Sequence, residues 1–125
     1  MSAFLTRFSA TLLTERTRSG RRIWQLNLPL VYQSDMLSET ISVPPGFTTD
    51  LDSCPRFPPV AFALFGDLAE EAACIHDYLY TGIVARDVAD AVLKEAAQVC
   101  GASYFQAEGL YIGVRAGGAS HYAQA

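Results

Sequence analysis

The chain has 125 residues, half of them hydrophobic and 18% charged, with a formal net charge of −4. That length supports one hydrophobic core, and the composition excludes an intrinsically disordered chain. An acidic balance argues against nucleic-acid binding, and no apolar run approaches the roughly 20 residues that span a bilayer.

The opening residues, Met1 to Arg7, lack the basic-then-apolar order of a secretion signal, so synthesis in a cytoplasm is expected. Three cysteines, Cys54, Cys74 and Cys100, form no Cys-x-x-Cys pair, which points to small buried thiols rather than a disulfide or zinc framework. Charge is unevenly spread. Residues 1–30 carry five arginines and one glutamate, whereas residues 31–95 carry eleven acidic and three basic side chains. The cluster Arg16, Arg18, Arg21 and Arg22 surrounds Ser19-Gly20 and reads as a solvated hairpin tip.

In chain order, residues 4–14 are rich in Thr, Leu and Phe, and Ile23 to Tyr32 spaces Trp24, Leu26, Leu28 and Leu30 by two. Both runs read as strands. Pro29 implies that the second lies at an edge or ends in a bulge. A third strand, Thr40 to Val43, is stopped by Pro44-Pro45-Gly46, with Pro45-Gly46 suited to the centre of a type II turn. The loop Phe47 to Arg56 mixes hydroxyls, the carboxylates Asp50 and Asp52, Ser53 and Arg56, the composition of a site loop. Pro58-Pro59 opens a short helix through Phe65.

The remainder reads as helical. A helix capped by Asp67 with Glu70 runs to about Tyr80, where Thr81-Gly82 breaks it. A second spans about Arg86 to Val99 and stops at Gly101. A third opens on the capping box Ser103-x-x-Gln106 and ends near Arg115. Gly109 and Gly113, four apart, predict tight internal packing of that helix. The expected architecture is α+β in one domain over 1–125. It comprises a small antiparallel layer of about three strands in a β-rich part (1–50), the site-like loop (47–56), three to four helices (58–116) and a flexible tail (117–125).

The run Ala73-Cys74-Ile75-His76-Asp77-Tyr78-Leu79-Tyr80 places two adjacent ionisable groups in an apolar setting, so partners are required. The first two helices share a short connection and should lie antiparallel. With the turn near Ile83, His76 falls opposite Asp90, and Tyr80 falls near Arg86 and Asp87. A hydrogen bond from His76 to Asp90 is therefore predicted. Asp77 points about 100° away, towards Arg56 or the Asp50/Asp52 loop.

Two roles suit this constellation. As a catalyst, His76 is the general base oriented by Asp90, and Asp77 with Asp50 suits a hard divalent cation such as calcium. As a structural network, His76, Asp90, Asp77, Arg56 and Asp50 lock strands, loop and helices in one register. Other chemistries fail on spacing. His-Glu-x-x-His, a Gly-x-Ser-x-Gly elbow and a phosphate-cradling glycine loop are absent, and a His-Asp phosphohydrolase needs further ligands where His121 is the only other histidine. Cys74 and His76, two apart on a helix, diverge.

Three motifs in order, Phe47-Thr48-Thr49-Asp50-Leu51-Asp52-Ser53-Cys54-Pro55-Arg56, His76-Asp77-Tyr78-Leu79-Tyr80 and Arg86-x-x-x-Asp90, resemble the domain of unknown function 1353. The likeness extends from the Trp24 strand to Leu110-Tyr111-x-x-Val114-Arg115. It implies a tailed-phage or prophage origin, with genes often near tail or lysis modules. Two positions depart from the family pattern. Asp52 stands where Ala is usual, and Ala85 stands where a Ser cap is usual, which weakens that cap by about 1 kcal/mol. A fainter likeness is to secreted phospholipases, which place His-Asp and a following Tyr opposite a second Asp. It implies His76 as base, Asp90 as orienter and Asp77 as a calcium ligand, but the disulfides and glycine-rich calcium loop of those enzymes are missing.

The leading expectation is a phage virion or tail-assembly accessory protein that contacts other phage structural proteins. In that reading Asp50, Ser53, Arg56, Tyr80 and Arg86 belong to the network around His76 and Asp90. The alternative is a small hydrolase of cell-envelope material, acting through His76, Asp90 and Asp77 as the host is penetrated or lysed. Its location is then the host cytoplasm or the virion.

Overall fold

A computed structural model describes residues 1–14, 23–49, 70–117 and 122. The loop residues Asp50, Asp52, Ser53, Cys54 and Arg56, the cap Asp67 and the expected helix after Pro58-Pro59 lie outside the described residues.

The described residues are α+β, but the single layer of about three strands is corrected. Six strands form two separate three-stranded antiparallel sheets: β1 (Ala3–Phe4), β2 (Ala10–Thr14), β3 (Ile23–Leu26), β4 (Leu30–Ser34), β5 (Glu39–Val43) and β6 (Thr48–Thr49). One sheet has the order β1-β4-β5 and the other β2-β3-β6. The expected strand over 23–32 is in fact two. Pro29 has no N–H to give a ladder, and the chain leaves one sheet at Leu26 and enters the other at Leu30. The expected strand over 4–14 divides in the same way into β1 and β2. Period-two patterning shows which faces are buried but not which strands share a sheet.

The β4–β5 hairpin supplies the apolar floor. Its register pairs Leu30 with Val43 and Tyr32 with Ile41, and all four side chains are buried. Between them Val31, Gln33, Thr40 and Ser42 are partly or fully exposed, the alternation of a sheet with one covered face. After β5, the turn at Pro45-Gly46 closes with Phe47 N–H donating to Pro44 O at 3.3 Å, and Gly46 takes φ +89°, which a side chain would resist.

Three helices follow among the described residues: α1 (Glu70–Leu79), α2 (Arg86–Val99) and α3 (Tyr104–Gly117). In α2, Ala89, Val92, Leu93, Ala96 and Ala97 are fully buried, at the i, i+3, i+4 spacing of one apolar face. Small alanines there let neighbouring elements approach. The helix opens at Ala85 with no side-chain cap. It closes in a Schellman turn, in which Ala102 N–H donates to Ala97 O, Gly101 N–H donates to Gln98 O, and Gly101 sits at φ +107°. At the start of α3, Ser103 N–H donates to Gln106 Oε1 while Gln106 N–H donates to Ser103 Oγ, a reciprocal capping box.

Helix α3 packs on α2 through Ala107, Leu110 and Val114, all 0% exposed. Gly109 and Gly113 are only half-buried, so the close internal packing expected at the glycines is provided instead by the Ala107, Leu110 and Val114 face. Helices α1 and α2 both rest on the β4–β5 sheet. The other sheet reaches α1 through Phe47, whose ring meets Tyr78 edge-on at 5.5 Å, and through Thr49. No helix among the described residues is long and apolar enough to cross a membrane.

Candidate functional site

The antiparallel α1–α2 hairpin turns through residues 80–85 and brings His76 and Asp90 together in the interior. Both side chains are 0% exposed. His76 Nε2 and Asp90 Oδ1 are 2.8 Å apart. Tyr80, one turn after His76, donates its hydroxyl to the same Oδ1 at 2.6 Å, and its ring lies 4.1 Å from the imidazole. Arg115, near the end of α3, donates from Nη1 to Asp90 Oδ2 at 2.9 Å.

Arg86 frames this cluster from outside. Its Nε donates to the Tyr80 hydroxyl oxygen at 3.2 Å and lies 3.9 Å from Asp90 Oδ2. Its Nη2 donates to the carbonyls of Val114 and Arg115, at 2.9 and 2.7 Å. A cation at those terminal carbonyls satisfies acceptors that the helix cannot, and it favours the negative end of the α3 dipole. One carboxylate thus gathers groups from all three helices.

The electrostatics follow from this geometry. Burial alone would raise the pKa of Asp90. Hydrogen bonds from His76, Tyr80 and Arg115 outweigh it and hold the carboxyl below its ordinary value. An ionised carboxylate only accepts, so His76 Nε2 must be the protonated nitrogen. That fixes the ring's orientation and makes Nδ1 the basic nitrogen of the neutral form. Burial and the Asp90 contact push the Tyr80 phenol up to about 12, so it stays a hydrogen-bond donor.

Asp77 faces away from this cluster. Its Oδ2 accepts a hydrogen bond from Thr49 Oγ1, which ties α1 to β6 immediately before the site-like loop. Asp50, the partner proposed for a divalent cation, lies outside the described residues, as do Ser53 and Arg56. Among the described residues no three His, Cys, Asp or Glu side chains converge to hold a metal, and Asp77 is already engaged by a neutral hydroxyl.

Structure thus brings together His76, Asp90, Tyr80 and Arg86, and directs Asp77 elsewhere. Sequence reasoning overlooked Arg115 as a ligand of Asp90, although the Leu110-Tyr111-x-x-Val114-Arg115 stretch was conspicuous. It also overlooked Tyr122, in the segment expected to be a flexible tail. The Tyr122 hydroxyl donates to Val84 O, and its ring meets Tyr80 edge-on at 5.4 Å. The thiol of Cys74 is buried and pushed up to about 12 by desolvation and by nearby Asp77, so it is a poor nucleophile.

No curated protein and no solved structure matches the chain. A family model described as "Protein of unknown function (DUF1353)" matches residues 24–114, a span containing every described member of the His76–Asp90 cluster except Arg115 and Tyr122. The chain belongs to the DUF1353 family.

Proposed function

We propose that the protein works through its outer surface, as a phage-encoded accessory protein of the virion or of tail assembly, and that the His76–Asp90 cluster is its internal lock. The supporting observation is the seal. His76 and Asp90 are both 0% exposed, and the two carboxylate oxygens on α2 already receive hydrogen bonds from three side chains, His76 on α1, Tyr80 just beyond its end and Arg115 on α3. A network so enclosed specifies one packing of the helices, a use to which buried polar groups are put in the absence of catalysis. The phage setting rests on the resemblance of the three motifs to a family carried by tailed phages. Mass spectrometry of purified particles tests it, with this chain expected among their proteins. Its absence from particles overturns the virion role.

A second reading is favoured by one observation, the pairing of Nε2 with an ionised carboxylate. That pairing leaves Nδ1 as the basic nitrogen, the tautomer of a general base in a hydrolase of cell-envelope material. Asp77, the next residue, accepts a hydrogen bond from Thr49. Turnover of peptidoglycan or phospholipid substrates by the intact protein, abolished in His76→Ala with the circular dichroism spectrum kept, would establish it. Unfolding of His76→Ala with no turnover by the wild type supports the lock.

A further inference from the structure

Helix α3 is apolar on two opposite faces, and among the described residues only one of them is covered. Ala107, Leu110 and Val114 are buried against α2. At about 100° per residue, Phe105, Gly109, Ile112 and Ala116 form a second stripe along the opposite side. Phe105 is 85% exposed and Ile112 59%, and Ala116 is exposed as well. An amphipathic surface helix normally turns charge to the solvent at these positions, and an uncharged stripe over three turns marks a contact face.

We propose that this face of α3 pairs with the same face of a second copy of the chain, antiparallel and about a two-fold axis. The order of residue sizes supports self-pairing. An axis crossing between Leu110 and Tyr111 brings large Phe105 over the second copy's small Ala116, and Ile112 over its Gly109. Both relations repeat on the other side of the axis, as a closed two-fold contact requires. Large side chains then fill the hollows left by small ones, the condition for close helix packing.

Charge agrees with the same register. Glu108 and Arg115 lie on one flank of the stripe, and a two-fold axis across the helix keeps flanks matched. Glu108 of each copy therefore stands beside Arg115 of the other, offset by about two residues, or about 3 Å of helix rise. Both side chains reach the surface, at 32% and 36% exposure. Each has an internal partner, Lys94 and Asp90 respectively. A guanidinium with five donors and a carboxylate with two acceptor oxygens can each serve a further one.

A single helix face buries less than the roughly 800 Å² per partner of a standard interface, so a weak dimer that depends on concentration is expected. Sedimentation equilibrium of the full chain, from micromolar to hundreds of micromolar, should show it. Ile112→Glu should leave only monomer across that range, with the circular dichroism spectrum unchanged. Ala116→Trp, which fills the hollow for Phe105 from an exposed position, should do the same and carries the test if Ile112→Glu does not fold. Glu108→Gln should weaken association by about three- to tenfold, the worth of two exposed ion pairs. A wild type that stays monomeric throughout, or a dimer indifferent to Ile112→Glu and Ala116→Trp, overturns the proposal.

Discussion

Two of the three carboxylates on helix α2, Asp90 and Glu95, lie five residues apart and solve different problems. Asp90 is fully buried and takes hydrogen bonds from His76, Tyr80 and Arg115, which joins helix to helix. Glu95 is partly exposed and takes neutral donors from the β4–β5 hairpin. Tyr32 and Ser34 each donate a hydroxyl to Oε1 at 2.7 Å, and Met36 N–H donates to Oε2 at 3.0 Å. Ser34 Oγ in turn accepts from Leu37 N–H, so Glu95 also holds the turn at Asp35–Ser38. The contrast teaches where charge is needed. A carboxylate with no access to water requires cationic partners, whereas one at the margin needs only polar donors of the right geometry.

Removing each acid should expose that difference. Asp90→Ala strands His76 and Arg115 and should destabilise the fold by about 3 kcal/mol or more, measured by urea unfolding. A loss under 1 kcal/mol would mean that the cluster contributes little to holding the helices. Acid titration is the next largest effect. Because the folded Asp90 carboxyl titrates below its unfolded counterpart, its contribution is complete above the ordinary carboxylate value near pH 4. It is lost as pH falls through the lower, folded value. Stability of the wild type should therefore drop more steeply below pH 4 than that of Asp90→Asn, and parallel acid limbs would refute the assignment.

Glu95→Ala leaves the buried hydroxyls of Tyr32 and Ser34 short of an acceptor and should cost about 1–3 kcal/mol. Hydrogen exchange should speed up in the β4–β5 turn, while amides of α1 stay protected. Equal loss of protection in α1 would erase the distinction between the two regions. The smallest expected effects come from Tyr80→Phe and Tyr32→Phe, each deleting one donor to one carboxylate, at about 1.5 kcal/mol or less. Tyr80→Phe should also shorten the acid limb from its low-pH end, because Asp90 loses one of the bonds that depress it and its folded value moves up towards the unfolded one. Tyr32→Phe should leave the limb in place.

The cluster at Asp90 was half legible in the sequence. A short connection between two amphipathic segments fixes an antiparallel hairpin, and equal counts from its turn set His76 against Asp90. Tyr80 near Arg86 follows from the same counting. Arg115 does not, since its approach to Asp90 depends on how the third helix packs across the second. Glu95 was equally silent, because its partners lie about 60 residues earlier, on strands whose sheet was misassigned. The split into two sheets is not legible locally, because Pro29 suits an edge or a bulge equally well, whereas in the fold it marks the passage from one sheet to another.

Local chemistry alone determined the α+β class, the Pro45-Gly46 turn, the Ser103–Gln106 capping box and the Gly101 stop. Each of these is set by dihedral preference or by hydrogen bonds that span a few residues. The His76–Asp90 pairing needed one further step, the geometry of a helix hairpin, and was still within reach. Only the tertiary structure decided that Arg86 and Arg115 complete the cluster, that Glu95 pins the hairpin and that Phe105 and Ile112 of α3 stand exposed. Those outcomes depend on packing between elements far apart in the chain, where side-chain volume and the search for partners of buried polar groups choose among arrangements that local preference leaves equal.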